Sequence, residues 1–514
     1  MNILYITPYV PSLIRVRPYN LVKYLSRQGH QVTVLSLKAS PQEEADAEEL
    51  RKHCAHVETV ELSRRESLSN CMKALPGFTP LQAAFCHSPA MTHLIKRLLS
   101  EEKYDLIHVE HLRGAHFGFV AKHLPKVYDS VDCISLLFER AARQAPGLLR
   151  RFVARLDLSR TKRYEGWLLE QYDKVLVTSW SDKMALESLN LTKWDILNFF
   201  SKNPYTMDTA SSIAQRIGRS PNIVQPELDD LVMLGLLEQT SLNGERVYQL
   251  TTREELQEIV FGFVEGFNDH PGRLEELLSN LTNGEDGLGK ISVLPNGVDL
   301  DYFAAANGPR EPDTLIFSGK MSYHANMAAA LNLVQKIMPL IWAERPNVKV
   351  RIVGKDPPPE VKALARDKRV SVEGYVPDLR PYLAGATVSV SPMRYGVGIQ
   401  NKVLEAMAVG TPVVTTSVAC SALEAKDNEH LLVADDPPTF ARKVLRLLDD
   451  AFLWQKISKS GRRYVEEKHD WKLIAGRLEE IYQEVIAKWQ KHPSVNMQEL
   501  VPLGNKPGPQ YGTS

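Results

Sequence analysis

Lys402 and Glu405 stand three residues apart within Tyr395-Gly-Val-Gly-Ile-Gln-Asn-Lys-Val-Leu-Glu-Ala-Met-Ala-Val-Gly-Thr-Pro-Val-Val414. On a helix that spacing sets a cation and an acceptor on one face, while Val403, Leu404 and Met407 turn the other way, toward a sheet. The glycines ahead of the helix let backbone N–H groups approach an anion, and the helix N-terminus adds positive potential. Lys402, in the first turn, would neutralise a phosphate. Glu405, one turn deeper, would accept hydrogen bonds from a diol such as a ribose. A nucleotide diphosphate offers both groups. The competing reading is a solvated helix face with no ligand, since exposed Lys–Glu pairs are common and weak.

To hold such a face, the chain must supply a sheet, a loop and a helix in that order. Ala386 to Ser391 reads as a strand leading into the loop, and Gly-Thr-Pro after Val409 leads into a β-branched run. The word Glu-Ala-Met-Ala-x-Gly-x-Pro-Val-Val, beginning at Glu405, resembles the nucleotide-sugar motif of retaining glycosyltransferases of the GT-B fold, family 4. The loop form Gly-Ile-Gln-Asn-Lys, ending at Lys402, looks like a subgroup with a longer loop. The resemblance covers about 1–190 and 284–490. It implies an α/β fold with two Rossmann-like domains facing a cleft: an N-terminal acceptor domain (1–190) and a C-terminal nucleotide-sugar domain (284–490). The helix at about 471–489 would cross back to the first.

With 514 residues, two or three domains are expected. The balance of 62 basic and 62 acidic residues excludes a global attraction to nucleic acid. Cys54, Cys71, Cys86, Cys133 and Cys420 are scattered and form no Cys-x-x-Cys pair, so a disulfide framework or zinc site is not expected. Nor is a signal peptide or a membrane-spanning stretch, and the expected location is the cytoplasm.

Residues 2–7, the helical spacing of Tyr19 to Arg27, and Gln31 to Leu37 form a βαβ unit. Relatives carry Gly-Gly in its first loop. Here Arg15 and Arg17 occupy that region, and either could supply side-chain charge to the donor phosphates; both could equally be surface cations. Tyr104 to Val109 is a strand that ends on Glu110 and His111. The resemblance makes these two acceptor-side candidates, against the alternative of a surface histidine. Asp129 and Asp132 follow the strand Lys126 to Val131, and no metal is assigned to them. The helix at 145–172 is basic and amphipathic, so 145–163 is a candidate for peripheral contact with the inner face of the membrane. A solvated flank is the alternative.

Between about 191 and 283 the chain leaves the family. Helical spacing recurs at Trp194 to Phe200, Thr209 to Ile217 and Pro221 to Leu234, and a β-hairpin over Leu236 to Leu250 turns at Asn243-Gly244. Further helices are expected at about 252–266 and 271–281. The set resembles a winged helix-turn-helix module. It carries seven basic against fourteen acidic residues, a net charge of −7, with Glu227, Asp229 and Asp230 on the would-be recognition helix. Phosphate would be repelled, so DNA is an unlikely partner, and a protein partner or dimer contact is expected.

From Leu294 the family pattern resumes. Thr314 to Gly319 enters a loop, followed by a helix that Asn326 would cap. Relatives place Arg and Lys on the diphosphate here, and this chain has Lys320 and Ala325, leaving Lys402 to replace the missing cation. Val376-Pro-Asp-Leu resembles the segment holding the base. Position 397 is Val where relatives have a second Glu, so backbone N–H groups near Gly398 and Ile399 would serve the sugar. The resemblance thus implies Lys320, Lys402 and Glu405 as catalytic. It adds Gly319, Val376, Gly398, Ile399, Asn401, Arg15 and Arg17 as donor-binding. Neither metal nor cofactor is implied, because the nucleotide sugar is a substrate. Glycosyl transfer with retention to an alcohol acceptor, in exopolysaccharide, cell-envelope or glycolipid synthesis, is the expected function. The alternatives are a non-catalytic scaffold working through the insert, or a sugar-nucleotide epimerase. The tail at 491–514 reads as disordered.

Overall fold

The computed structural model describes residues 1–491 apart from 76, 78, 145–147, 188, 190, 220, 243–244, 267–289, 306–307 and 396–399. Side chains of 140–144, 148–156, 191, 222–223, 226, 259, 263 and 265–266 also lie outside the description. Among the described residues the chain divides into two compact units: Met1–Leu294 with the chain from Leu478, and Pro295–Arg477.

The first unit opens with β1 (Asn2–Thr7), whose Ile3, Leu4, Tyr5 and Ile6 are fully buried, as befits a parallel strand covered on both faces. A helix at Val16–Arg27 and a left-handed Gly29 return the chain to β2 (Gln31–Lys38). The helix begins three residues earlier than the apolar spacing suggests. β3 (His56–Glu61), β4 (Leu106–Glu110), β5 (Lys126–Val131) and β6 (Lys174–Val177) follow. The next strands belong to the insert: β7 (Asp208–Thr209), β8 (Leu237–Leu242) and β9 (Glu245–Leu250). Then β10 (Ile291–Val293) joins the edge of the first sheet, pairing in parallel with β6. The order is β10-β6-β5-β4-β1-β2-β3. The expected start of the second domain at 284 is therefore too early. The apolar run Ile291-Ser-Val-Leu completes the first sheet, and the boundary falls at Leu294–Pro295.

The insert has its own core, in which Ile196, Phe200, Ile213, Leu228, Leu231 and Tyr248 are at most 1% exposed. Helices at Leu191–Lys202, Ala210–Ile217, Pro221–Met233 and Glu254–Gly266 surround an antiparallel sheet of order β7-β9-β8. The strand β7 escapes sequence reading because two residues carry no periodicity. The hairpin turn at Asn243-Gly244 and the helix at 271–281 lie outside the described residues. The acids on Pro221–Met233 do not form a bare repelling face. Lys193 Nζ meets Asp230 at 3.1 Å and Glu227 at 3.5 Å, and the Tyr248 hydroxyl donates to Asp229 at 2.9 Å. Lys193 also pairs with Glu187 at 2.7 Å and Arg219 with Glu170, which tie the insert to the helices at Trp180–Glu187 and Leu148–Gln171, while Arg219 pairs within the insert with Asp195.

The second unit holds β11 (Thr314–Ser318), β12 (Lys349–Val353), β13 (Val370–Gly374), β14 (Val388–Ser391), β15 (Val413–Thr415) and β16 (Leu432–Val433). They form a parallel sheet of order β13-β12-β11-β14-β15-β16. Helices at Pro437–Asp449 and Ala451–Lys468 pack on it, and a long helix at Trp471–Lys491 ends the described chain. Among the described residues no helix is long and apolar enough to cross a membrane.

Candidate functional site

In the second unit the motif helix runs from Asn401 to Ala408, with Val403, Leu404, Ala406 and Met407 buried against the sheet. Lys402 and Glu405 remain on the partly buried opposite face. A left-handed Gly410 stops the helix, and Arg310 satisfies its end, donating to the carbonyls of Val409 at 3.2 Å and Gly410 at 3.0 Å. No sequence pattern marks Arg310, which lies about a hundred residues away in the chain.

The loops after β11, β12 and β14 meet at the start of this helix, at the carboxyl ends of the strands, where open α/β sheets bind ligands. Lys402 Nζ donates to Asn326 Oδ1 at 2.6 Å and lies 4.7 Å over the Phe317 ring and 3.8 Å from Met393 Sδ. Asn326 Nδ2 in turn donates to the Lys320 carbonyl at 3.0 Å. Asn326 is therefore no cap. The helix begins at His324 with Tyr323 before it, and the amide instead joins the β11 loop to Lys402. Phe317 and Met393 escape sequence reading, and Asn326 is read there only as a cap, since only the fold brings the three to Lys402.

Gly319, at φ +145°, packs so close that an added Cβ would stand 3.0 Å from Lys402 Nζ and 2.8 Å from Asn326 Nδ2. Gly354 approaches Gly319 more closely still: its Cβ would be 1.8 Å from the Gly319 carbonyl oxygen. The two loops are thus in backbone contact beside the cation. Lys320 is exposed, and Val376 is partly buried against the motif helix's cluster. Asn401 Oδ1 is buried with no hydrogen-bond partner among the described residues. Gly398 and Ile399 lie outside them.

Burial pulls the Lys402 ammonium down to about 7, with Glu405 opposing the shift. Burial likewise pushes the Glu405 carboxyl up to about 7, opposed by Lys402. Among the described residues neither an ion pair nor a hydrogen bond engages the Glu405 carboxylate. The site is therefore a desolvated cation and an acceptor with lone pairs to spare, next to closely approached backbone, an arrangement suited to an anion joined to a hydroxylated group.

The first unit gathers its candidates differently. Arg17 is not a surface cation. It is 5% exposed, with Nε donating to Asp129 Oδ2 at 2.8 Å and Nη1 to the Leu294 carbonyl at 2.9 Å. Arg15 is more open, pairs with Glu43 at 2.7 Å and lies over the Tyr9 ring. Glu110 is buried and accepts from Tyr9 at 2.8 Å and Tyr5 at 3.2 Å; burial, then the charge of Asp129, raises its carboxyl to about 8. His111 is partly buried in the left-handed region at φ +65°, and burial lowers its imidazole to about 3. His108, stacked on Tyr5 and bonded to the Tyr482 hydroxyl at 2.7 Å, completes a buried polar group that sequence reading passes over as part of an apolar strand.

Of the basic helix proposed for the membrane, only Arg160, Lys162 and Arg163 have described side chains among its cations up to 163. Arg160 donates to the Leu75 carbonyl at 2.6 Å, and Lys162 meets Glu139 at 2.5 Å.

Residues 15–196 match the family model described as Glycosyltransferase Family 4, and residues 312–450 match Glycosyl transferases group 1. The fold is similar to that of sucrose-phosphate synthase from Thermosynechococcus elongatus, at TM-score 0.55 and 15% identity over 95% of this chain and all of that one. The chain carries family 4 and group 1 glycosyltransferase domains on a GT-B fold. A second GT-B neighbour is Anabaena HepE, whose structure holds UDP and glucose, at TM-score 0.54 and 12% identity over 94% of this chain and all of that one. Among curated proteins, the phosphatidyl-myo-inositol mannosyltransferase of Mycobacterium tuberculosis is 27% identical over 222 residues, 40% of this chain. That match spans 57% of the mannosyltransferase, little more than half its length.

Proposed function

We propose that this chain is a glycosyltransferase moving a sugar from a nucleoside-diphosphate sugar to an alcohol acceptor, with retention at the anomeric carbon and without a metal ion. The observation that carries the reading is Lys402 held by Asn326 beside the Gly319–Gly354 backbone contact, with Glu405 one turn along the helix. In this reading Lys402, Lys320 and the backbone N–H groups near Gly398 and Ile399 stabilise charge that develops on the diphosphate as the C1–O bond breaks. Glu405 accepts from the ribose hydroxyls. The acceptor oxygen bonds to C1 on the face the diphosphate leaves, and its proton passes to the departing phosphate oxygen. Arg15, Glu110 and His111 of the first unit are read as contacts for phosphate or acceptor. The UDP and glucose of the HepE structure favour a uridine donor. The mannosyltransferase relative favours an acceptor alcohol on a lipid, at the cytoplasmic face of a membrane. The acid-rich insert is read as a winged-helix-like contact for a protein partner or a second copy.

The test is donor-dependent release of nucleoside diphosphate across a panel of nucleotide sugars and acceptors. Glu405→Ala and Lys402→Ala are each expected to lower kcat/KM by about 10²–10³-fold. A folded wild-type protein that releases none would point to a scaffold. Interconversion of free nucleotide sugars without an acceptor would point to an epimerase.

A further inference from the structure

The helix at Arg64–Ala74 in the first unit presents an apolar stripe to solvent. Leu68, Met72 and Leu75 follow one another at four- and three-residue spacing and are 63%, 68% and 47% exposed. Single exposed apolar side chains need no explanation, but three in register along one helix and its C-cap do. The charges around the stripe are one-sided. Arg64 lies one turn ahead of Leu68, Arg65 beside it and Lys73 near its far end, and none of the three is in an ion pair among the described residues. The helix's acid, Glu66, is turned back onto Ser63, accepting from its backbone N–H and its hydroxyl at 2.8 Å each. Arg160, bonded to the Leu75 carbonyl, brings the basic helix at Leu148–Gln171 against the end of the stripe. Across these two helices the sequence has nine cations and four acids, in a chain whose overall charge balances.

We infer that the face formed by Arg64, Arg65, Leu68, Met72, Lys73 and Leu75 docks on the surface of a bilayer containing anionic lipid. The stripe enters the boundary between headgroups and chains, and the cations meet lipid phosphates. Charge complementarity favours this occupant. Three apolar side chains fall well short of the roughly 20–30 residues that a stable protein interface takes from each partner. The inference goes beyond the transfer reaction and does not depend on it. It also sets the contact on the helix at Arg64–Ala74, with Arg160 of the basic helix as its neighbour.

Sedimentation of the full-length protein with vesicles of phosphatidylcholine, alone or mixed with phosphatidylglycerol, tests this without donor or acceptor. Binding to the anionic vesicles is expected, weakening as salt is added. The double variant Leu68→Ser/Met72→Ser is expected to weaken it by at least about tenfold. Arg64→Glu/Arg65→Glu is expected to abolish the preference for anionic lipid. Both are expected to keep the melting temperature and any nucleoside diphosphate release in solution. No binding to anionic vesicles, or binding that Leu68→Ser/Met72→Ser leaves unchanged, overturns the inference. So does a dimer, seen by light scattering, that this variant dissolves while the wild type ignores vesicles; the occupant would then be a second copy.

Discussion

A lysine set into the protein beside a phenylalanine ring and an amide oxygen is costly while no anion is bound, and Lys402 has this setting. Burial lowers its pKa from 10.5 to about 7. The unfolded chain therefore keeps a proton that the folded chain sheds between those values. The penalty for folding is full below about pH 7 and fades as the pH rises. Lys402→Met is accordingly expected to raise thermal stability by about 1–4 kcal/mol at pH 6, and by less at each higher pH. The same variant should lose all stabilisation by nucleoside diphosphate. In the wild type, an anion prefers the protonated lysine, so the ligand-induced rise in melting temperature is expected to shrink as the pH passes from 6 to 8.5. A thermal-shift series over that range checks both, and a flat wild-type profile would remove Lys402 from the site.

At the scale of elements, the site depends on how closely two loops approach. Gly354 sits at φ +155° with the Gly319 carbonyl where its Cβ would be, so Gly354→Ala must push the loops apart as well as strain the backbone. The expected cost is about 3 kcal/mol or more, with nucleotide stabilisation lost in whatever protein stays folded; denaturant unfolding measures it. A different element, the insert, rests on Lys193, which three carboxylates surround and hold well above its ordinary pKa. Removing that cation takes from buried Glu227 an ion-pair partner at 3.5 Å. Lys193→Ala is expected to cost about 3–5 kcal/mol and to expose the insert to limited proteolysis, while the second unit's response to nucleotide stays intact.

At the scale of the molecule, the two units have separate cores, and Lys320, Lys402 and Glu405, read as meeting the diphosphate and ribose, belong to Pro295–Arg477. Calorimetry is expected to show two transitions, with nucleoside diphosphate raising the one that Gly354→Ala lowers. A single transition, or a shift confined to the other, would contradict that assignment. The local alternation of apolar and polar residues is enough to show most of the parallel strands and the helix that carries Lys402 and Glu405, because helix and strand periods are properties of neighbouring residues; β3, β7 and the helices between residues 42 and 101 are not read from it. The word around Glu405 pointed to the family for the same reason, since its spacing is carried within a few turns. What sequence reading could not reach lies across chain distance. Asn326 reads as a cap and bonds Lys402 instead; Arg17, read as a cation for the donor phosphates or for the surface, is buried on Asp129. Ile291–Val293 looked like the start of the second domain and is the edge of the first sheet. Each of these depends on which strands lie side by side and which loops meet at their ends. That is decided by burying two whole sheets at once, and no short window of residues contains it.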